Sequence, residues 1–119
     1  MVDIERAKKY DLEDRTFRFA KDVMGYVNRL PKNISSIEIG KQLVRSAGSV
    51  GANYIEGNES LGKKDLAMKI RIARKEAKES RYWLNLSEPV EIGLSEREQL
   101  VKEATELMNI FGAILKKVQ

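Results

Sequence analysis

The chain predicts an all-α fold, an antiparallel up-down bundle of four helices, on three observations. It is rich in Lys, Glu, Leu and Ala, with two prolines in 119 residues and 7% aromatics, a balance that favours helix. Apolar residues recur at helical spacing in four separate stretches. The connections left between them run to about four to eight residues, which suits neighbouring helices of a bundle. The length is that of one domain, able to bury about two-thirds of its unfolded surface.

The first helix is predicted from about Leu12 to Leu30, where Leu12, Phe19, Ala20, Val23, Val27 and Leu30 lie near one stripe. Pro31 stops it. Residues 1–10 are polar and read as a loose N-terminal arm, leaving 11–119 as the bundle. Ser35-Ser36-Ile37-Glu38 has the form of a capping box with Ser35 as N-cap. The second helix continues through Ile39, Leu43, Ala47, Val50 and Tyr54 to about Glu56, and Gly57–Gly62 forms the turn. The third helix spans about Lys63 to Leu86, ended by Ser87-Glu88-Pro89. A second capping box, Ser95 to Glu98, opens a fourth helix carrying Leu100, Ala104, Leu107, Phe111, Ile114 and Leu115.

Composition narrows the chemistry. There is no cysteine and no histidine, so disulfides, thiolate metal sites and histidine-based triads are excluded, and a reducing cytoplasm is the natural compartment. No apolar run approaches the length of a membrane span, and the N-terminus lacks the apolar core of a signal peptide. The net charge is +4. Residues 69–81 alone hold six basic and two acidic side chains, a local balance equal to that of the whole chain. Such concentration favours an anionic partner, nucleic acid first; a solvated helix face is the alternative.

On a helical wheel the third helix shows three faces instead of two. Leu66, Ile70, Ala73, Ala77 and Leu84 form the packing stripe. Arg71, Arg74, Lys75, Lys78 and Arg81 form a basic stripe suited to phosphate, because guanidinium forks bind phosphate oxygens in pairs and lysines add point charge. Tyr82 and Trp83 lie beside it, placed to stack on unpaired bases. A second apolar strip, Met68, Ile72, Trp83 and Leu86, asks for a partner and is assigned to an oligomer interface.

The second helix carries Gly40, Ala47, Gly48, Gly51 and Ala52. Each interior glycine costs about 1 kcal/mol against alanine, an expense that close approach of a neighbouring helix would offset. Beside them runs a polar line, Gln42, Arg45, Ser49, Asn53 and Glu56. A structural network of Arg45, Ser49, Asn53, Glu56, Glu76 and Glu79 is expected, with Glu76 and Glu79 as partners for Arg45. The other use of Glu56, Glu76 and Glu79 is to gather a hard cation for phosphodiester cleavage. Carboxylate metal sites in bundles usually add a Glu-x-x-His pair, which this chain lacks. Gly57 to Lys64 nearly matches a phosphate loop, but Lys64 stands where Ser or Thr is needed and a helix precedes it.

Arg45-Ser46-Ala47-Gly48-Ser49-Val50-Gly51-Ala52-Asn53-Tyr54-Ile55-Glu56-Gly57 resembles the R-x-A-x-S-[IV]-x-A-N-I-A-E-G signature of the four helix bundle proteins, the intervening-sequence proteins of 23S ribosomal RNA. Tyr54-Ile55 replaces the usual Ile-Ala. Residues 72–84 are similar to the family's I-A-x-x-S-x-x-E segment, with Glu76 in place of a small residue and Glu79 matching. The resemblance implies an up-down bundle assembling as a ring, typically a homopentamer, with RNA binding suspected and no catalytic site to carry over. A more distant likeness, through Arg81-Tyr82-Trp83-Leu84, is to the accessory protein of diversity-generating retroelements.

The expectation is therefore a non-enzymatic, cytoplasmic, oligomeric protein without metal or cofactor, binding RNA through the basic stripe. The alternative is a scaffold or accessory subunit for a nucleic-acid enzyme such as a reverse transcriptase, with a metal-dependent nuclease third.

Overall fold

The computed structural model describes residues 4–118, with side chains from residue 11 onward. It contains four helices, α1 (Ile4–Asn28), α2 (Ile34–Asn58), α3 (Lys63–Leu86) and α4 (Gly93–Val118), and no strand among the described residues. They pack as a four-helix bundle. In α1 the buried residues Leu12, Thr16, Phe19, Val23 and Tyr26 step by three and four, and Leu30 continues the series past the helix end. The core they enter includes Leu43, Val50, Ile70, Leu84, Leu107 and Phe111, all fully buried. Each large apolar side chain so buried contributes about 1.5–3 kcal/mol.

The helix boundaries follow local chemistry, with three departures from expectation. Backbone helix in α1 begins at Ile4, not near Leu12. The expected loose arm over residues 1–10 lies outside the described residues for positions 1–3, and its side chains are not described at all. The N-cap of α2 is Asn33, whose side chain accepts from the Ser36 backbone N–H at 2.9 Å, while the Ser35 hydroxyl donates to Asn33 Oδ1. Pro31 ends the preceding segment just before Asn33, so the extended Asn33 backbone is already poised to cap. Ser95 lies inside α4, which starts at Gly93 with turn hydrogen bonds from Gly93 N–H to Val90 and from Leu94 N–H to Glu91.

Small residues bring α1 close to α2. A Cβ on Gly40 would lie 2.8 Å from Val27 Cγ1, and one on Gly51 would lie 2.9 Å from Thr16 Oγ1. Gly48 and Ala52 face outward instead, and a Cβ on Gly48 would meet nothing within 4 Å. Gly57 belongs to α2 and not to the turn; a Cβ there would come within 3.2 Å of Lys69 Cβ on α3. The α2–α3 seam also holds a buried polar rung, in which Ser80 Oγ reaches Ser46 Oγ at 2.9 Å and the Glu76 carbonyl at 2.9 Å.

The α1–α4 seam is the loosest of the four. A groove there is lined by charged side chains and bridged by ion pairs. Arg15 grips Glu103 with two hydrogen bonds, Nε to Oε2 at 2.8 Å and Nη2 to Oε1 at 2.7 Å, and Arg29 pairs with Glu96. The bond to Glu103 raises the Arg15 pKa further above its usual value. At one end of the bundle Tyr26 Oη lies 2.6 Å from Ser87 Oγ, which itself donates to the Leu84 carbonyl, so Tyr26 is the donor. Burial pushes the Tyr26 phenol up, against the opposing pulls of Ser87 and Arg97.

Candidate nucleic-acid interface

The basic face of α3 forms because its cations fall on the side opposite the packing stripe. Ala67, Ile70, Ala73, Ala77 and Leu84 are buried, while Arg71, Arg74, Lys75 and Lys78 are exposed. These four line a groove between α3 and α4, and Lys116 from the last turn of α4 joins them. Met108, Gly112 and the buried Leu115 lie between them as the floor, and the exposed Ala113 stands at the rim. A Cβ on Gly112 would sit 3.7 Å from the Arg74 guanidinium, which therefore lies over the floor of the groove. Among the described residues no carboxylate forms an ion pair with any of these five cations. Arg81, the fifth member of the predicted stripe, is half-buried and donates to Thr105 Oγ1 on α4 at 3.2 Å, so it braces the α3–α4 seam.

The acidic residues of α3 are occupied elsewhere. Arg45 donates through Nη1 to Glu76 at 3.0 Å and through Nη2 to Glu79. Glu76 is buried, whereas Arg45 is half exposed, so this cluster sits at the rim of the α2–α3 seam. Glu56 is drawn away from it by Lys69, at 2.8 Å, a contact that raises the lysine pKa. Asn53 donates to the backbone carbonyl of Ser49 at 2.8 Å, which ties these two to their own helix. Glu56, Glu76 and Glu79 do not converge, and no group of three or more possible ligands for a metal ion occurs among the described residues. The expected six-residue network is thus divided: Arg45 holds Glu76 and Glu79 as expected, while Glu56 pairs with Lys69 and Asn53 with Ser49 separately.

A profile of the 23S rRNA-intervening sequence protein family matches residues 8–113, nearly the whole chain and both segments that hold these contacts. The chain belongs to that family. A crystal structure of a protein of unknown function from the S23 ribosomal protein family of Bacteroides thetaiotaomicron VPI-5482 is similar, with 29% identity and a TM-score of 0.76. The match covers 87% of this chain and 97% of that one. No curated protein sequence matches.

Among its described residues this member of the intervening-sequence family exposes apolar side chains on α3 and beside the α1–α2 seam, as well as Ile34, Leu61 and the run Val90, Ile92 and Leu94 around the start of α4. On α3, Met68 and Leu86 are exposed, Ile72 is half-buried, and Trp83 packs partly against the core. The Trp83 Nε1–H is buried without a hydrogen-bond partner. The exposure beside the α1–α2 seam was not anticipated. Phe17 (63% exposed) and Met24 on α1, with Ile37, Val44 and Ile55 on α2, flank the α1–α2 seam on its outer side. Val27, Ile37, Gly40 and Val44 line a shallow groove there. The signal was in the sequence: all five stand off the core spacing of their helices. No described helix is long and apolar enough to cross a membrane.

Proposed function

We propose that this protein is a non-enzymatic, cytoplasmic RNA-binding protein whose binding site is the α3–α4 groove. One observation carries the reading: Arg71, Arg74, Lys75, Lys78 and Lys116 surround a single groove, and among the described residues none of them has a carboxylate partner. Cations left unpaired beside one another repel, and a polyanion relieves that repulsion while releasing its own counterions. The family's description, which refers to 23S rRNA intervening sequences, makes RNA the nucleic acid to test first. Replacing Arg71, Arg74 and Lys78 together by Ala should abolish most of the affinity for a structured RNA and flatten its dependence on salt. Retention of affinity and slope in that variant, measured by fluorescence anisotropy, would refute the proposal.

The protein is further read as an antiparallel up-down bundle acting as a homo-oligomer, with a ring of five the family expectation. Contacts of Val27 with Gly40, Thr16 with Gly51, and Arg74 with Gly112 support the up-down order. The outer α1–α2 face supports association, because Gly48 costs helix stability there yet has no neighbour within its own chain. The same face suits a scaffold or accessory subunit of a nucleic-acid enzyme. Phe17→Glu should lower the mass measured by light scattering if copies of the chain cover this face. An unchanged assembly would move the interface to the Met68–Leu86 strip, and a monomeric parent protein would remove it.

A further inference from the structure

We infer that the α3–α4 groove takes a single unpaired strand of nucleic acid, and not a duplex, with one base laid on Tyr82. This inference rests on the reading of the groove as a nucleic-acid interface. Arg71, Lys75, Lys78 and Tyr82 succeed one another at steps of four, three and four residues, and so form one ridge about 16 Å long on α3. Arg74 lies inside this ridge over Gly112, and Lys116 stands on the α4 wall. Cations thus flank a trough on two sides. Residues of both helices line this one groove, so a single sugar-phosphate strand laid along it meets the α3 ridge and Lys116 together. A duplex is too broad to reach Gly112 beneath the Arg74 guanidinium and would meet the ridge alone.

The polar inventory points the same way. Proteins read A-form duplexes through 2′-hydroxyl and phosphate contacts spread across a wide minor groove, and among the described residues Asn109 is the one uncharged polar side chain lining this trough. Tyr82, one turn beyond Lys78, is 59% exposed. Its T-shaped contact with Trp83, with centroids 5.0 Å apart and rings at 75°, steadies the phenol ring without covering it. Paired bases are already stacked, so such a platform adds affinity only for unpaired ones.

The test compares a single-stranded 12-mer of oligouridylate with a 12-base-pair RNA duplex by fluorescence anisotropy over a range of salt, on the full chain. The expected result is tighter binding of the single strand, with a slope of about −3.5 in log affinity against log salt if all five cations are engaged. Tyr82→Ala should weaken the single strand by about fivefold to 150-fold and leave the duplex unchanged, while Tyr82→Phe stays within about twofold of the parent. Gly112→Leu should fill the trough, push aside the Arg74 guanidinium that lies over it, and weaken the single strand more than the duplex. Circular dichroism melts confirm that each variant is folded. Equal or tighter binding of the duplex, or no effect of Tyr82→Ala, overturns the inference while the nucleic-acid reading stands. Loss of nothing in the Arg71/Arg74/Lys78 variant overturns both. Displacement of the strand by polyglutamate at equal charge concentration assigns the trough to an acidic protein and overturns it as well.

Discussion

Glycine in α2 has opposite meanings at neighbouring positions. At Gly51 an added methyl would meet Thr16 at both Oγ1 (2.9 Å) and Cβ (3.2 Å), and Thr16 is held in place by its hydrogen bond to the Leu12 carbonyl at 2.8 Å. Gly51→Ala should therefore destabilise the fold by about 1–3 kcal/mol through overpacking. Gly48→Ala meets open space and should stabilise the isolated chain by up to about 1 kcal/mol through helix propensity. Urea unfolding of the two variants checks the pair, and a loss of stability in both would contradict the assignment. The sequence shows that these glycines are costly, but not which of them face a neighbour, because that depends on how α2 is rotated against α1. Arg45 is a different case. Its short list of acidic partners was legible, since Glu76 and Glu79 are adjacent carboxylates on the next helix, whereas the Glu56–Lys69 pair needed the inter-helix register.

Elements were legible where punctuation is dense. α3 starts and ends as expected because Gly62 precedes it and Ser87 with Pro89 follows it. The α2 start was displaced by two residues, since Asn33 and Ser35 are both good caps and the choice between them is made by the chain leaving Pro31. Asn33→Ala should cost about 1 kcal/mol, and Ser35→Ala far less, in thermal or denaturant unfolding; equal costs would restore Ser35 as the cap. The basic stripe of α3 could be read from periodicity within one helix. Lys116 could not be joined to it, because only the packing of α4 on α3 brings it across the groove, and Arg81 left the stripe for the same reason. The outer α1–α2 face is legible in hindsight from Phe17 and Met24, two turns apart on the side of α1 away from its core stripe.

At the scale of the whole molecule, three seams are closely packed, with polar contacts added across α2–α3 and α3–α4, and the fourth, between α1 and α4, is the loosest and is bridged by Arg15–Glu103 and Arg29–Glu96. Partly exposed ion pairs contribute little, typically up to about 1 kcal/mol each, and weaken as salt is added. α1 should accordingly be the helix that lifts first. Native-state hydrogen exchange should show amides in residues 12–26 opening at lower free energy than those in 70–84, with the gap widening at high salt. Uniform protection would show instead that the four helices open as one cooperative unit. The expected consequence is a division of labour in breathing: the chain should behave as a three-helix slab of α2, α3 and α4, with α1 hinged on it along the α1–α2 seam. Both walls of the cationic trough, α3 and α4, belong to the slab and should stay together when α1 lifts.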